Sequence, residues 1–401
     1  LLQAGPLDTG RDHPWLALAF ACLLAGALLT LWAPRWALAA VQIGLCLLTA
    51  LWLAAMVRQQ EPVRFDRLLV PLALAALWGW IQIAAGHTVY RWATEQAALD
   101  WFFRLLACLL ALQLFQAGAR RRRLLGGLVW FGFAVSVVAS LQRFTAPGKI
   151  FWLFDTGGIQ GAMSPFVYYN QYAAFIETVL PVALVRALTE RPRAWLYGMM
   201  AAVMIASVVA SESRAGAFLV AAETIAFFGL AGRRALAPRR NLAWAAAGVV
   251  MLALAFAAAM GWTPLWAKLR RADPWGERRL LTLASIEMAL ERPWFGFGLG
   301  TWSVAYPAYA RFDDGLFDNQ AHNDWAQWAA EGGLPFLAAM VAVAALLAVR
   351  ARRSVWGLGL LAVLAHCLVD YHFQQRPAFG YYYFALAGVL ALERPERPSE
   401  V

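Results

Sequence analysis

Residues 194–231 read AWLYGMMAAVMIASVVASESRAGAFLVAAETIAFFGLA. Two apolar runs, 194–210 and 215–231, flank the polar tetrad Ser211-Glu212-Ser213-Arg214. Each run approaches the roughly 20 apolar residues that a bilayer-spanning helix needs, and the tetrad turns the chain straight back. That is the pattern of a membrane hairpin. Similar runs recur near 14–33, 36–57, 68–85, 101–119, 124–141, 169–188, 242–261, 325–349, 355–370 and 378–392. They predict an all-α, polytopic membrane protein with about 12 transmembrane helices. Composition agrees: 62% of the 401 residues are hydrophobic and 14% are charged, against roughly 25% charged in soluble domains. Soluble enzymes, disordered chains and secreted disulfide scaffolds are thereby excluded. Cys22, Cys46, Cys108 and Cys367 all lie inside apolar runs without metal-ligand spacing and read as small core residues. The first run resembles a signal peptide, with Ala37-Leu38-Ala39 as a cleavage site, but its length and the runs after it favour a retained anchor.

The linkers alternate in charge. One set carries Arg58, Arg64, Arg67, Arg120 to Arg123, Arg186, Arg191, Arg193, Arg233, Arg234, Arg239, Arg240, Arg350, Arg352 and Arg353, with Arg11, Arg394 and Arg397 at the ends. The short linkers of the other set hold only Arg35, Arg91, Arg143, Lys149, Arg214 and Arg376. The positive-inside rule then places both termini in the cytoplasm of a bacterial inner membrane. The net charge of +10 is largely this topology signal. No nucleic-acid partner is expected, because the basic residues form no single stripe.

Two outer linkers are long, about 142–168 and 262–324, and such loops are usually functional. The expected division is a first bundle of nine spans over 1–261, a helical periplasmic loop over 262–324, and three last spans with a short tail over 325–401. No convincing internal repeat lends weight to a secondary transporter.

Three stretches on the outer side break the membrane rules. Arg214 sits beside Glu212 at the mouth of the bundle, where a charge is costly and suggests function; a snorkelling Arg at a tight turn is the bland alternative. In the long loop, ERRLLTLASIEMAL (277–290) places Leu280, Leu283, Ile286 and Leu290 at helical spacing, an amphipathic interface helix. Arg278 and Arg279 stand at its N-terminal end, where the macrodipole prefers acids, so they look placed for an external anion; lipid head-group contact is the alternative. Pro293 stops this helix, and Gly296, Gly298 and Gly300 form a tight backbone corner rather than a dinucleotide fingerprint. Third, Gln320-Ala321-His322-Asn323-Asp324 precedes an apolar run, so Asn323 or Asp324 caps the helix and His322 sits at an anion-favouring terminus. Glu331 to Pro335 should kink that span.

Lesser candidates are Tyr169 and Asn170 at an outer helix start, and Asp370, His372, Gln375 and Arg376 at the last outer turn. Both groups could line a sugar site, although interfacial aromatics are ordinary in membrane proteins. Asp313, Asp314 and Asp318 could hold a divalent cation, but a solvated acidic loop is the plainer reading; no metal and no cofactor is expected. Guanidinium groups with one imidazole suit a lipid-linked phosphate, since Arg matches phosphate oxygens bidentately at any physiological pH. A polyprenyl diphosphate-linked sugar would set its tail in the bundle, its diphosphate on the Arg cluster and its glycan in water. Transfer then needs charge stabilisation of the leaving group and a base, for which His322 is suited.

With these residues in place, the chain resembles the O-antigen ligase and O-antigen polymerase superfamily of bacterial membrane glycosyltransferases. His322-Asn323, nine residues and Gly333 match the ligase pattern H-[NSQ]-x9-G-x-x-[GTY], with Phe336 where Gly, Thr or Tyr is expected. SRAG at 213–216 is similar to the family's Ser-Arg turn. Arg278 precedes Pro293 by the family's spacing of fifteen, with Thr282 replacing the usual Trp. YYNQYAAF retains Asn170 but has Tyr168 at the first Asn of the family's helix start. The resemblance is specific over roughly 160–335. It implies a GT-C-like, metal-independent, inverting glycosyltransferase, with Arg214 and Arg278 on the diphosphate and His322 as base or orienting group.

The leading expectation is a ligase moving a glycan from undecaprenyl diphosphate to a hydroxyl of lipid A-core. The nearest rival is a polymerase using the same donor on a glycan acceptor. Polymerases often carry R-x10-G motifs, and none of Arg214, Arg278 and Arg279 has Gly eleven positions on. A flippase or transporter would instead need charges deep within the spans, for which Arg104 and Glu223 are the candidates.

Overall fold

A computed structural model describes residues 13–33, 35–159, 161–261, 263–270, 276–312, 315 and 317–393. From the N-terminal side come α1 (Pro14–Leu29), α2 (Arg35–Gln59), α3 (Leu69–Ala84), α4 (Arg91–Leu114) and α5 (Gly118–Thr145). A two-stranded hairpin, β1 (Lys149–Ile150) and β2 (Phe154–Asp155), lies in the first long linker; no strand was expected there. Next are α6 (Tyr169–Thr189), α7 (Ala194–Ala210), α8 (Arg214–Arg233) and α9 (Arg239–Met260). The second long linker holds α10 (Thr263–Leu269), α11 (Glu277–Glu291) and α12 (Trp302–Ala305). The chain ends with α13 (Asp324–Ala351), α14 (Leu358–His366), α15 (His372–Gln375) and α16 (Pro377–Ala391).

Among the described residues, 8 helices are long and apolar enough to cross a membrane. The apolar segments Pro14–Leu29, Leu69–Ala84, Val355–His366 and Pro377–Ala391 are shorter. Together they account for every expected run, and the protein is an all-α polytopic membrane protein. Helices that are apolar all round belong inside such a bundle. Accordingly α6 is buried continuously from Gln171 to Leu184 and α16 from Ala378 to Leu390. Small residues let the interior helices approach closely. A Cβ on Gly388 would lie 2.6 Å from the Cys108 carbonyl oxygen of α4, and one on Gly359 would lie 2.3 Å from the Glu177 carbonyl oxygen of α6.

The two ends of the bundle differ. At one end the basic linkers meet one another: Arg350 pairs with Asp66, Arg186 donates to the Arg122 carbonyl, and Arg234 donates to the Ala351 carbonyl at 3.0 Å. Arg121 lies 3.6 Å from Glu393 there. Arg11, Arg394 and Arg397 lie outside the described residues.

The opposite end is closed by the second long linker. Its small core gathers Leu281, Ala284, Met288, Phe297, Trp302 and Tyr306, and the Trp302 indole donates to Ser285 Oγ at 2.9 Å. The expected apolar stripe of α11 faces outward, and a second one faces inward. Leu283, Ile286 and Leu290 are exposed, whereas Leu281, Ala284, Ser285 and Met288 are buried. Both stripes have helical spacing, and the one that meets Trp302 and α13 is the inner one.

The expected kink is a full break. Gly333 has φ 67° and ψ −172° within α13, and the glycine corner plugs into it. Phe297 N–H donates to the Ala330 carbonyl and Gly298 N–H to the Glu331 carbonyl, both at 3.0 Å, and Leu334 N–H donates to the Pro293 carbonyl at 2.7 Å. The Trp78 indole donates to the Gly332 carbonyl at 2.8 Å. Broken backbone at membrane depth is tolerated only when its polar groups are satisfied in this way. The Glu331 carboxylate takes the Gly300 and Trp302 N–H groups at 2.9 and 3.0 Å. Gly296, Gly298 and Gly300 all have positive φ, and a Cβ on Gly296 would lie 2.4 Å from the Glu331 carbonyl oxygen.

Candidate functional site

Asp370, between α14 and α15, is the hub of the end that faces away from the basic linkers. The start of α13 clamps its turn: Asp324 N–H donates to the Cys367 and Asp370 carbonyls at 2.9 and 3.1 Å. The Asp324 carboxylate accepts from Phe373 N–H at 3.1 Å. The Asp370 side chain, 7% exposed, then meets four partners. Asn170 of α6 donates to Oδ2, and Tyr371 N–H donates to Oδ1 at 2.9 Å. Arg278 Nη1 lies 3.6 Å from Oδ2 and donates to the Val369 carbonyl at 3.1 Å. His322 Nδ1 stands 3.7 Å from Oδ1.

The backbone before α13 places His322. Asn323 caps α13 by accepting from Ala326 N–H at 3.0 Å, leaving His322 one residue outside the helix with φ 51°. That left-handed conformation is sparsely populated for a residue with a Cβ, and such backbone clusters at functional sites. The Tyr371 ring stands edge-on to the imidazole at 4.5 Å. Burial pushes His322 down to about 4, against Asp370, which raises it, and with Arg278, which lowers it. It is a neutral imidazole at pH 7. For Asp370, burial is the largest single influence and acts upward. Arg278, His372, His322 and His366 together outweigh it and hold the carboxyl below its usual value.

Arg214 opens α8 at the same end. Ser213 caps that helix by accepting from Gly216 N–H at 3.1 Å. A Cβ on Gly216 would lie 2.4 Å from the Ala173 Cβ, so the first turn of α8 packs one turn along α6 from Asn170. Beside it Glu212, with φ 63°, pairs with Arg143 and lies 2.8 Å from Lys268 Nζ. Lys268 also stands 4.6 Å from the Tyr169 ring centroid. Burial raises the Glu212 carboxyl, but Lys268 and Arg143 outweigh it and keep it below the usual range.

The structure thus brings Arg278, His322, Asn170 and Asp370 together, with Arg214 and Tyr169 on the adjoining turns. Several expectations change. Arg279 is exposed, whereas its neighbour Arg278 is half-buried and reaches Asp370. Asn323 serves as the helix cap. His372 is buried, its ring 4.3 Å from that of His366, so it offers no face to a sugar in water. Asp370 is likewise buried, its carboxylate taken by Asn170 and the Tyr371 N–H with Arg278 nearby. Arg376 is half-buried at the start of α16, with Tyr168 as its nearby polar group. The side chain of Gln375, like Asp313 and Asp314, lies outside the described residues.

Sequence reasoning missed Arg143, Lys268 and Tyr371 as partners, and it missed the pair His366 Nδ1 and Glu177 Oε1 at 2.8 Å inside the bundle. For Glu212 the charge within the SESR turn was a signal. For the others nothing local distinguishes them.

Residues 199–341 match a family model described as O-antigen ligase. The match includes Arg214, Arg278 and His322 and leaves out Asn170 and Asp370, which the fold adds. A comparison with curated proteins finds no match.

Proposed function

We propose that this protein is a membrane glycosyltransferase that moves a glycan from undecaprenyl diphosphate to a hydroxyl of lipid A-core. The work is done on the periplasmic face, with both termini in the cytoplasm. The observation that carries this is the meeting of Arg278 and His322 on Asp370, beside Arg214, at the end away from the basic linkers. The family match over 199–341 supports a glycosyltransferase of the O-antigen ligase kind; donor, acceptor and face are our reading.

In this reading Asp370 holds His322 with Nδ1 inward, leaving Nε2 toward the acceptor. The acceptor oxygen attacks the anomeric carbon from the side opposite the diphosphate, and the configuration inverts. Its proton passes to Nε2 while the bond from carbon to diphosphate oxygen breaks. Arg214 and Arg278 stabilise the charge on the departing undecaprenyl diphosphate. Guanidinium charge in that place does the work of a divalent cation, so no metal is required.

The test is transfer from undecaprenyl diphosphate-glycan to lipid A-core by purified protein in the presence of EDTA. Activity should survive chelation and be lost in His322→Ala. Full dependence on Mg²⁺ would refute the metal-free reading. Elongation of the lipid-linked glycan without lipid A-core would show a polymerase instead.

A transporter is the second reading, favoured by ionisable groups deep in the bundle. Glu223 is buried in α8, Glu177 of α6 is hydrogen-bonded to His366 of α14, and Arg104 of α4 donates to the Phe373 carbonyl at 2.7 Å. Movement of donor across liposomes without acceptor or transfer would establish it.

A further inference from the structure

We infer that the basic end of the protein carries a binding site for an anionic phospholipid between α1, α5 and α16. A groove of about 530 Å³ opens there, and its lining, among the described residues, is apolar except for Arg120, Arg123 and Tyr382. The α5 sequence explains the arrangement. Arg120, Arg123, Leu124, Gly127 and Phe131 fall on one helical face by their spacing of three and four, so two cations stand at one end of an apolar slot. Arg121 is turned away, donating to the Phe115 and Gln116 carbonyls at 3.0 and 2.5 Å.

Phe20 and Leu24 of α1 and Leu386 and Val389 of α16 give the slot walls suited to an acyl chain. The slot is open beside Gly127, where a Cβ would meet nothing within 4 Å. The pair of guanidinium groups selects a head group of opposite charge, as basic pockets between membrane helices do. A second, smaller groove between α8 and α9 repeats the composition, with Arg233 and Arg239 beside Phe228 and Leu242. Both grooves lie at the end where the basic linkers gather, away from Asp370. The site is therefore separate from the proposed donor site and does not depend on the proposed reaction.

The experiment is native mass spectrometry of the full-length protein in detergent, titrated with dioleoyl phosphatidylglycerol or dioleoyl phosphatidylcholine. Each head-group cation contributes roughly fivefold, so the anionic lipid should be retained about twentyfold more tightly. The double variant R120Q/R123Q should lower its retention to that of phosphatidylcholine. Gly127→Leu, which puts a side chain into the slot without changing charge, should weaken both lipids. Inorganic phosphate should not displace the bound lipid. Equal retention of the two lipids, or unchanged retention in R120Q/R123Q, would mean annular lipid only and overturn the proposal. So would displacement by phosphate alone, which would reduce the site to an anion patch. A dimer that excludes both lipids would assign the slot to a second copy.

Discussion

Two influences on His322 oppose each other: burial lowers its proton affinity and the Asp370 carboxylate raises it, and burial is the larger. Burial keeps it neutral to about pH 4, and in the proposed mechanism the Asp370 carboxylate, 3.7 Å from Nδ1, orients the ring. If His322 is the base, as proposed, it loses activity only where it protonates, so kcat/KM should stay flat down to an acid limb near pH 4. A bound diphosphate adds negative charge beside the ring and favours the imidazolium. The acid limb of kcat should therefore lie at higher pH than that of kcat/KM. Identical limbs would mean that the diphosphate does not sit near His322. Stability follows the same linkage. The unfolded chain binds a proton at His322 near its ordinary value of 6.5 and the folded chain does not until about 4, so stability should decline as pH falls through that window. The depressed Asp370 continues the decline at lower pH. Asp370→Asn keeps the shape but removes the charge that orients the ring. It should lower kcat by roughly 100- to 10,000-fold with little change in donor KM, the size seen when a base loses its orienting carboxylate; a pure KM effect would place Asp370 in binding instead.

The elements that hold these residues are joined by turns of special geometry. Gly298, with φ 106°, stands in the corner that plugs the break in α13, and a Cβ there would lie 2.4 Å from Thr88 Oγ1. Gly298→Ala should cost about 1–3 kcal/mol of stability, read as a lower thermal midpoint in detergent. Gly248→Ala, in a part of α9 where a Cβ meets nothing within 4 Å, should be neutral or slightly stabilising. Equal losses in the two would contradict the corner's role. The corner was legible because Gly296, Gly298 and Gly300 follow Pro293 closely, and the α13 break because Gly332, Gly333 and Pro335 stand together. The inner face of α11 was not legible. Leu280 to Leu290 offers two apolar stripes, and only Trp302, packed on Ser285, decides between them. Asp370 was visible as a polar residue at an outer turn, but its place as hub was not. Its partner Asn170 is 200 residues away, and only the packing of α6 against the α14–α15 turn brings them together.

Across the whole molecule, hydropathy and charge settle the architecture because a bilayer admits few alternatives. Runs of apolar residues became the twelve helical segments, and the basic linkers converged on one end. Single cysteines introduced at Arg353 and at Phe317, both outside the bundle interior, test the proposed orientation. A membrane-impermeant thiol reagent applied to intact cells with a permeabilised outer membrane should label the position at 317 and not that at 353; the reverse would turn the molecule over. In the proposed mechanism Arg214 and Arg278 hold the donor's diphosphate while His322 takes the acceptor's proton. The most direct measurement is equilibrium binding of undecaprenyl diphosphate-glycan to the purified protein, set beside its transfer rate. His322→Ala should bind donor within about threefold of the parent while losing transfer by roughly 100-fold or more. Arg214→Ala and Arg278→Ala should each weaken donor binding by about tenfold or more. Loss of donor binding in His322→Ala to the same extent as in the arginine variants, or full donor binding in all three, would contradict the account.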